Sequence, residues 1–528
     1  MKKFLLAMTL FGAGAGLFAQ SPGPLPSSSP NDIESLRQQV QSLTQTVQAL
    51  QEQLKAQQEA ITKMSAKAGT SPAPGPAASE SPAASAAPVF PTEDESVVAT
   101  TAQPTPIPAA AATPAVIGGN QPFPTTDSSV VAPTETSSTT GAGAALTAPI
   151  TVAGSGRTYM NISFDGQFAL AYSSDRNLDQ LEVGDHDPQQ RGFNARNLEL
   201  ALDGAVDPYF EGFANIVFKL DNDNQTEVEV EEAFMQTTDL PWGLQLKGGQ
   251  FFADFGRINP THPHTWDFAD DSLVHGLFLG PDGLRGVGAQ ISWTAPTSWY
   301  SQFIFGMQNG RGSTGFSFRN PGEDGTFYGR LTTDREIRGL QDFVYIPRWE
   351  NSFDLSPTQT VLVGVSGAFG SNETGANART QIYGADLLYK WKSSHAEGGF
   401  PFVKWQTEAM YRRFEAGRGV DQSFPVAETF HDWGMYSQIV WGFEKGWTVG
   451  LRGDHVHMEN SAYTDDPLRQ SRSRLSGDLT WYPTEFSKIR LQYNHDFLQA
   501  NEFLSEREAD SLFLQFEFIL GAHGAHKF

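Results

Sequence analysis

The chain has no cysteine in 528 residues. That excludes a disulfide framework, a thiolate metal site, a cysteine nucleophile and a lipid anchor on an N-terminal cysteine. Basic residues are scarce, 36 Lys and Arg against 60 Asp and Glu, and the net charge is −24. A nucleic-acid partner needs a basic surface, so that class is excluded. Beyond residue 20 no apolar run approaches the ~20 residues of a membrane-spanning helix. A helical membrane protein is therefore excluded. A barrel is not, because its alternating strands escape hydropathy averages. Neither a Gly-x-Ser-x-Gly nucleophile turn nor a His-Glu-x-x-His zinc motif is found, and the expectation is a non-enzyme with no cofactor.

What is present falls into four blocks. Residues 1–19 read as a secretory signal peptide. Lys2 and Lys3 precede an apolar stretch, and Leu17-Phe18-Ala19 fits a cleavage site before Gln20. Residues 31–65 read as a coiled coil. Ile33, Val40, Val47, Leu54 and Ile61 recur every seven residues. Leu36, Leu43, Leu50, Gln57 and Met64 form the second seam. Branched residues on the first seam favour a dimer, and polar Gln57 keeps a trimer open. Residues 66–150, rich in Pro, Ala, Ser, Thr and Gly, read as a disordered linker that cannot bury enough apolar surface to order itself. The fourth block, 151–528, carries all 11 Trp and all 13 Tyr.

The period in this last block is two. Met160, Ile162, Phe164, Phe168, Leu170 and Tyr172 share one face; Asn161, Ser163, Asp165 and Gln167 share the other. Val403, Trp405 and Tyr411 likewise alternate with Lys404, Gln406, Glu408 and Arg412. Counting such segments predicts an all-β transmembrane antiparallel barrel of about sixteen strands, between fourteen and eighteen. The connections alternate short and long, with long ones at 174–190, 257–285, 309–340 and 415–430. An even count puts both barrel ends on the short-turn side, so the coiled coil would sit in the periplasm of a Gram-negative bacterium. The final segment alternates through Leu512, Leu514, Phe516 and Phe518, and the aromatic Phe528 after it resembles the sorting signal of outer-membrane barrels, which implies the barrel-assembly machinery as a partner.

Gly249-Gln250-Phe251-Phe252-Ala253-Asp254-Phe255-Gly256 resembles the Gly-Gln-Phe-Lys-x-Pro-Phe-Gly run of the phosphate-selective porin O and P family. Val230 to Phe234, Arg196 to Gly204 and Gly434 to Asp454 resemble other strands of that family. The resemblance implies a porin-like outer-membrane barrel. The family's Lys is Phe252 here and its Pro is Asp254, so the fold carries over better than the phosphate preference. His262 to Phe268 and Gly521 to His526 resemble proteobacterial outer-membrane proteins labelled zinc-regulated or TonB-dependent. A TonB-type receptor of 22 strands with a folded plug does not fit the size of this block.

A barrel of this width leaves an aqueous lumen. The expected function is passive diffusion of small hydrophilic solutes or ions, with the 257–285 loop as constriction. Constriction candidates are Arg257, His262, His264, Asp267, Asp270, Asp271, His275 and Arg285. Acidic groups in a narrow passage favour cations. Lumen-wall basic candidates are Arg196, Arg412, Arg452 and Arg490, which either oppose the acidic loop across the pore or form salt bridges within the wall. His262 and His264 flank a proline and are a candidate metal pair. Expected partners are outer-membrane lipid and two further copies in a homotrimer. Two other roles stay open: an envelope tether binding peptidoglycan or a periplasmic partner through the coiled coil, and metal-linked uptake.

Overall fold

The protein is described from a computed structural model covering residues 150–521, apart from 156–157, 206, 222, 224, 323–324, 334–335, 419–425, 462–465 and 501–503. The expected signal peptide at 1–19, coiled coil at 31–65 and linker at 66–150 lie outside the described residues but for Ile150, and so do His523, His526 and Phe528.

Sixteen strands form the wall. They are β1 (Thr158–Ser173), β2 (Gly192–Ala205), β3 (Phe210–Leu220), β4 (Thr226–Thr237), β5 (Leu244–Phe252), β6 (Arg285–Thr294), β7 (Tyr300–Gln308) and β8 (Val344–Ser356). They continue as β9 (Gln359–Ser371), β10 (Arg379–Glu397), β11 (Phe400–Ala416), β12 (Glu428–Glu444), β13 (Trp447–His457), β14 (Arg472–Thr484), β15 (Ser487–Leu498) and β16 (Arg507–Leu520). Each pairs antiparallel with its sequence neighbour. The ring closes where β16 pairs β1, from Ser511↔Ser173 to Leu520↔Phe164. A short leading strand, Ile150–Ser155, pairs with Thr158 to Ile162 of β1, on the stretch β16 does not reach. It thereby covers backbone groups that would otherwise form an open edge.

One end carries tight turns, such as Lys445-Gly446 between β12 and β13, where Gly446 takes φ +80°. The other end carries long connections, at 174–191, 253–284 and 309–343. Strand β5 ends at Phe252, because the chain turns inward at Ala253, and Gly256 adopts φ +64° beside the wall.

Burial is the inverse of a soluble protein's. Along β12, Asp432, Tyr436 and Gln438 are buried, while Trp433, Met435, Ile439 and Trp441 are exposed on the outside. On β13 Arg452 and Asp454 are buried, but Leu451 is 69% exposed. An apolar outer face of this kind needs lipid as its solvent. Aromatic bands bound it. Near the turn end Trp293, Phe303 and Trp349 stack in series, at 5.8 and 5.5 Å between centroids. Near the loop end Tyr383 meets Tyr411, and Trp433 meets His455. Trp433 and Trp441 mark the two bands on one strand. At ~3.4 Å per residue they lie about 27 Å apart along it, or about 21 Å upright at a tilt near 40°. That falls within a few ångströms of the ~25 Å apolar band of a transmembrane barrel.

Candidate functional site: a barrel interior held by loop clamps

The 253–284 segment folds into the barrel. Its neck is tied by Asn259, whose Nδ2 donates to the carbonyls of Ala253 (2.7 Å) and Leu284 (3.0 Å), and whose Oδ1 accepts from Leu284 N (2.7 Å). A short helix, α1 (Leu273–Phe278), then lays Leu273, Val274, Leu277 and Phe278 against wall residues Ile382, Met410, Tyr436 and Val456. The polar inner wall thus includes an apolar patch that receives the helix.

The wall grips the loop backbone with charged side chains. Arg412 donates to Leu277 O (3.1 Å), Arg452 to Asp270 O (2.9 Å) and Arg490 to Trp266 O (2.8 Å). Lys488 donates to His264 O. Arg196 does the same for the first long loop, donating to Asp185 O (2.7 Å). Carboxylates serve the loop amides: Glu408 accepts from Arg257 N (2.8 Å) and Ile258 N (2.9 Å), and Asp454 from Leu273 N (3.1 Å). These are charge-assisted bonds, stronger than neutral ones and made inside a buried volume.

The four wall arginines named from the sequence therefore do something the sequence did not indicate. They neither stand free across an open pore nor pair only within the wall. Each also clamps a loop carbonyl while meeting a carboxylate or a side-chain carbonyl. Arg412 pairs with Asp432 (2.7 Å), Arg452 with Asp454 (2.8 Å) and Asp270 (2.9 Å), and Arg196 with Asp185 (3.1 Å). Arg490 donates to Gln515 Oε1 (2.8 Å). Arg474, which sequence reading passed over, sits at the centre of the densest cluster. It touches Glu182, Asp270 and Asp496 at 2.8, 2.5 and 2.9 Å.

The loop residues named from the sequence are all in the interior, but in several separate neighbourhoods. Asp267 bonds Lys404 and accepts from Gln438 (2.7 Å), beside Arg257 and a cavity of about 40 Å³. Asp270 joins Arg452 and Arg474, which outweigh the upward push of burial and hold its carboxyl below the usual range. Asp271 binds His275 Nδ1 at 2.5 Å. Burial would lower that imidazole, yet Asp271 keeps it above its ordinary value. Arg285 pairs with Glu229 and lies over the Phe252 ring.

A further neighbourhood centres on His262. Its Nδ1 lies 3.0 Å from Glu231 and 3.5 Å from Glu199, and its Nε2 lies 3.0 Å from Glu232. Burial alone would push this imidazole down. Glu199, Glu231 and Glu232 together hold it well above the usual histidine range. His264 stacks on His262 at 5.7 Å and bonds the other oxygen of Glu199 at 3.1 Å. Adjacent strand residues normally face opposite sides, so Glu231 and Glu232 should not both reach His262. A bulge makes it possible: between Asn215 and Ile216 the register slips, and Glu231 becomes the extra residue.

Two further loops enter the interior. From the first, Leu178, Leu181, Glu182 and Asp187 are buried. From 309–343, Phe316, Phe327 and Tyr328 pack with Phe414 and Phe430. Sequence reasoning singled out one inward loop. The other two gave no local signal, because their aromatics and carboxylates read equally well as solvated. What space remains includes a cavity of about 270 Å³ toward the turn end, lined by Asp203, Glu211, Glu232, Lys247 and Asp254.

A closed sixteen-stranded barrel with a lipid-facing apolar exterior, a polar interior and loops docked inside defines the porin-type transmembrane barrel. The chain belongs to one family with an uncharacterised protein of Aquifex aeolicus (strain VF5), to which it is 31% identical over 402 residues, 70% of this chain and 79% of that protein. No family profile matches the chain. Among solved structures it is similar to the outer membrane channel DcaP of Acinetobacter baumannii (12% identity, TM-score 0.46, 69% of this chain and 97% of that one). It is also similar to an anion-selective porin from Comamonas acidovorans (9% identity, TM-score 0.43, 69% and 100%).

Proposed function

We propose that this protein is an outer-membrane channel of a Gram-negative bacterium, passing small hydrophilic solutes or ions passively, with the 257–285 loop as its constriction. One observation carries the reading. The interior is built from water-compatible polar side chains, and the loop within it is held by an ordered set of clamps. A purely structural barrel of this width gains nothing from a polar inner wall that then has to be neutralised pair by pair.

The selectivity we propose is for cations. The turn-end cavity presents Asp203, Glu211, Glu232 and Asp254 against the single cation Lys247. Carboxylates in a low-dielectric vestibule attract cations and repel anions. Phe252 and Asp254 stand where the phosphate-selective family carries Lys and Pro, which fits the same preference. Assembly as a homotrimer, through the heptads of 31–65 and the barrel wall, belongs to the proposal; its support is the seven-residue repeat alone. Crosslinking that stops at dimer contradicts that part.

The test is single-channel recording of the refolded barrel in a planar bilayer under a potassium chloride gradient. Small conductance steps with a cation-selective reversal potential are expected. An anion-selective reversal contradicts the acidic vestibule as the selecting element. Silence at every voltage means a closed plug, and the tether role through residues 31–65 then takes first place.

A further inference from the structure

The cluster around His262 gathers two carboxylates, an imidazole and an amide about one point. Glu199 Oε2, Glu231 Oε2 and His262 Nδ1 lie within 4.8 Å of one another, and all three residues are buried. The Asn215 amide points into their midst. Its Nδ2 stands 3.0 Å from Glu199 Oε2, 3.0 Å from Glu231 Oε2 and 2.9 Å from His262 Nδ1. Two of these neighbours are carboxylates that accept, but Nδ1 of a protonated imidazole is itself a donor and sets two donors face to face. The Asn215 Oδ1, on a side chain with no exposure, meets no donor. Rotating the amide by half a turn brings that oxygen to the place of the nitrogen, facing the same three atoms.

From this geometry we propose that Glu199, Glu231, His262 and Asn215 form a seat for one divalent transition-metal cation. Metal–ligand bonds of about 2.0–2.2 Å place the ligands of a tetrahedral ion roughly 3.3–3.6 Å apart, and of an octahedral ion about 2.8–3.1 Å. Five of the six separations here run from 2.9 to 3.5 Å, and the two carboxylates lie within 4.8 Å of each other. Two carboxylates, an imidazole and an amide oxygen are a borderline-hard donor set, suited to zinc, manganese or cobalt above magnesium or a soft monovalent ion.

The ligands are buttressed as metal ligands are. The second nitrogen of His262 meets Glu232, a carboxylate–imidazole–metal arrangement. Glu199 Oε1 meets His264 Nδ1 and accepts from Asn197 (2.8 Å). Glu231 Oε1 lies 2.9 Å from His186 Nε2. The pair His262 and His264, suggested by their spacing, thus divides: His262 supplies a ligand and His264 orients Glu199. There is also an approach. Glu232 lines the 270 Å³ turn-end cavity, so an ion reaching that cavity meets the outer carboxylate of the cluster. The seat does not depend on whether the barrel conducts.

The test uses the refolded full chain in detergent, with His523→Ala and His526→Ala introduced so that the terminal histidines add no binding. Equilibrium dialysis against micromolar Zn²⁺ is followed by metal analysis. Folding of each variant is checked by its heat-modifiable mobility on a gel. One ion per chain is expected, with Glu231→Gln reducing retention at least tenfold. Asn215→Asp, which adds a charged oxygen at the same point, is expected to bind at least tenfold tighter, and Asn215→Leu at least tenfold weaker. Co²⁺ loaded into the unmutated cluster is expected to show a visible ligand-field band. No retained Zn²⁺ and no Co²⁺ band overturn the proposal. So does retention that Asn215→Asp and Asn215→Leu leave unchanged in folded protein.

Discussion

Glu408 is the side chain on which docking of the 253–284 loop turns most directly. It projects from β11 and accepts from Arg257 N, Ile258 N and Tyr436 OH at 2.8, 2.9 and 2.5 Å. Replacing it by alanine removes every one of these acceptors. A hydrogen bond to a charged group contributes about 1.5–3 kcal/mol, so the two loop amides together set an upper bound of about 6 kcal/mol. Water entering the vacated space restores part of this, and loss of the buried carboxylate relieves a desolvation cost. A net weakening of about 2–3 kcal/mol remains, a factor of roughly 30–150 in the ratio of docked to undocked loop. Hydrogen exchange in detergent reads it directly. Protection of the Arg257 and Ile258 amides should fall by about that factor, while amides of β11 and β12 hold theirs. Channel current should become noisier as the loop samples open positions. Glu408→Gln, which keeps one acceptor, should fall between. Unchanged protection at residues 257 and 258 in folded Glu408→Ala would refute the clamp account.

Three further outcomes follow from the same geometry. Leu451→Arg puts a charge on the lipid face of β13, mid-strand, and should cost about 2–4 kcal/mol in reversible unfolding from lipid, since lipid cannot hydrate it; a cost below 1 kcal/mol would mean that Leu451 does not face acyl chains. Arg474→Met leaves Glu182, Asp270 and Asp496 buried without their shared cation and should cost about 3–5 kcal/mol, read as a lower gel unfolding temperature; an unchanged temperature contradicts the network. Burial, with Asp270 and Asp271 nearby, raises Asp187 to about 7. The folded loop then keeps a proton that the unfolded chain releases near pH 4, so its stability is full in acid and lost as pH rises through 7. Loop 174–191 should resist protease better at pH 5 than at pH 8, with Asp187→Asn flattening the difference; an equal pH dependence in both proteins rules this out.

The alternation of polar and apolar residues was enough to count the strands, because a strand in a bilayer wall must present one face to lipid and the other to the interior. Trp433, Met435, Ile439 and Trp441 against Asp432, Tyr436 and Gln438 leave no other arrangement with both faces content. Loop lengths added the polarity of the barrel, since tight turns and long connections alternate along the chain. These are local properties, written in neighbouring residues.

The interior was not legible in the same way. That Arg412, Arg452 and Arg490 grip carbonyls of Leu277, Asp270 and Trp266 depends on contacts more than 130 residues apart in sequence. No period reports such a pairing. Nor could alternation place Glu231 and Glu232 on the same side of β4, because it assigns neighbours to opposite faces. Only the bulge opposite Asn215 brings both inward, and with them the ring of donors around His262. The sequence by itself settled the barrel, its strand number to within two and its outward face, since each follows from what one strand must show to lipid. The tertiary structure decided which charges meet inside, because that depends on how the loops fold back through a space that many distant strands enclose.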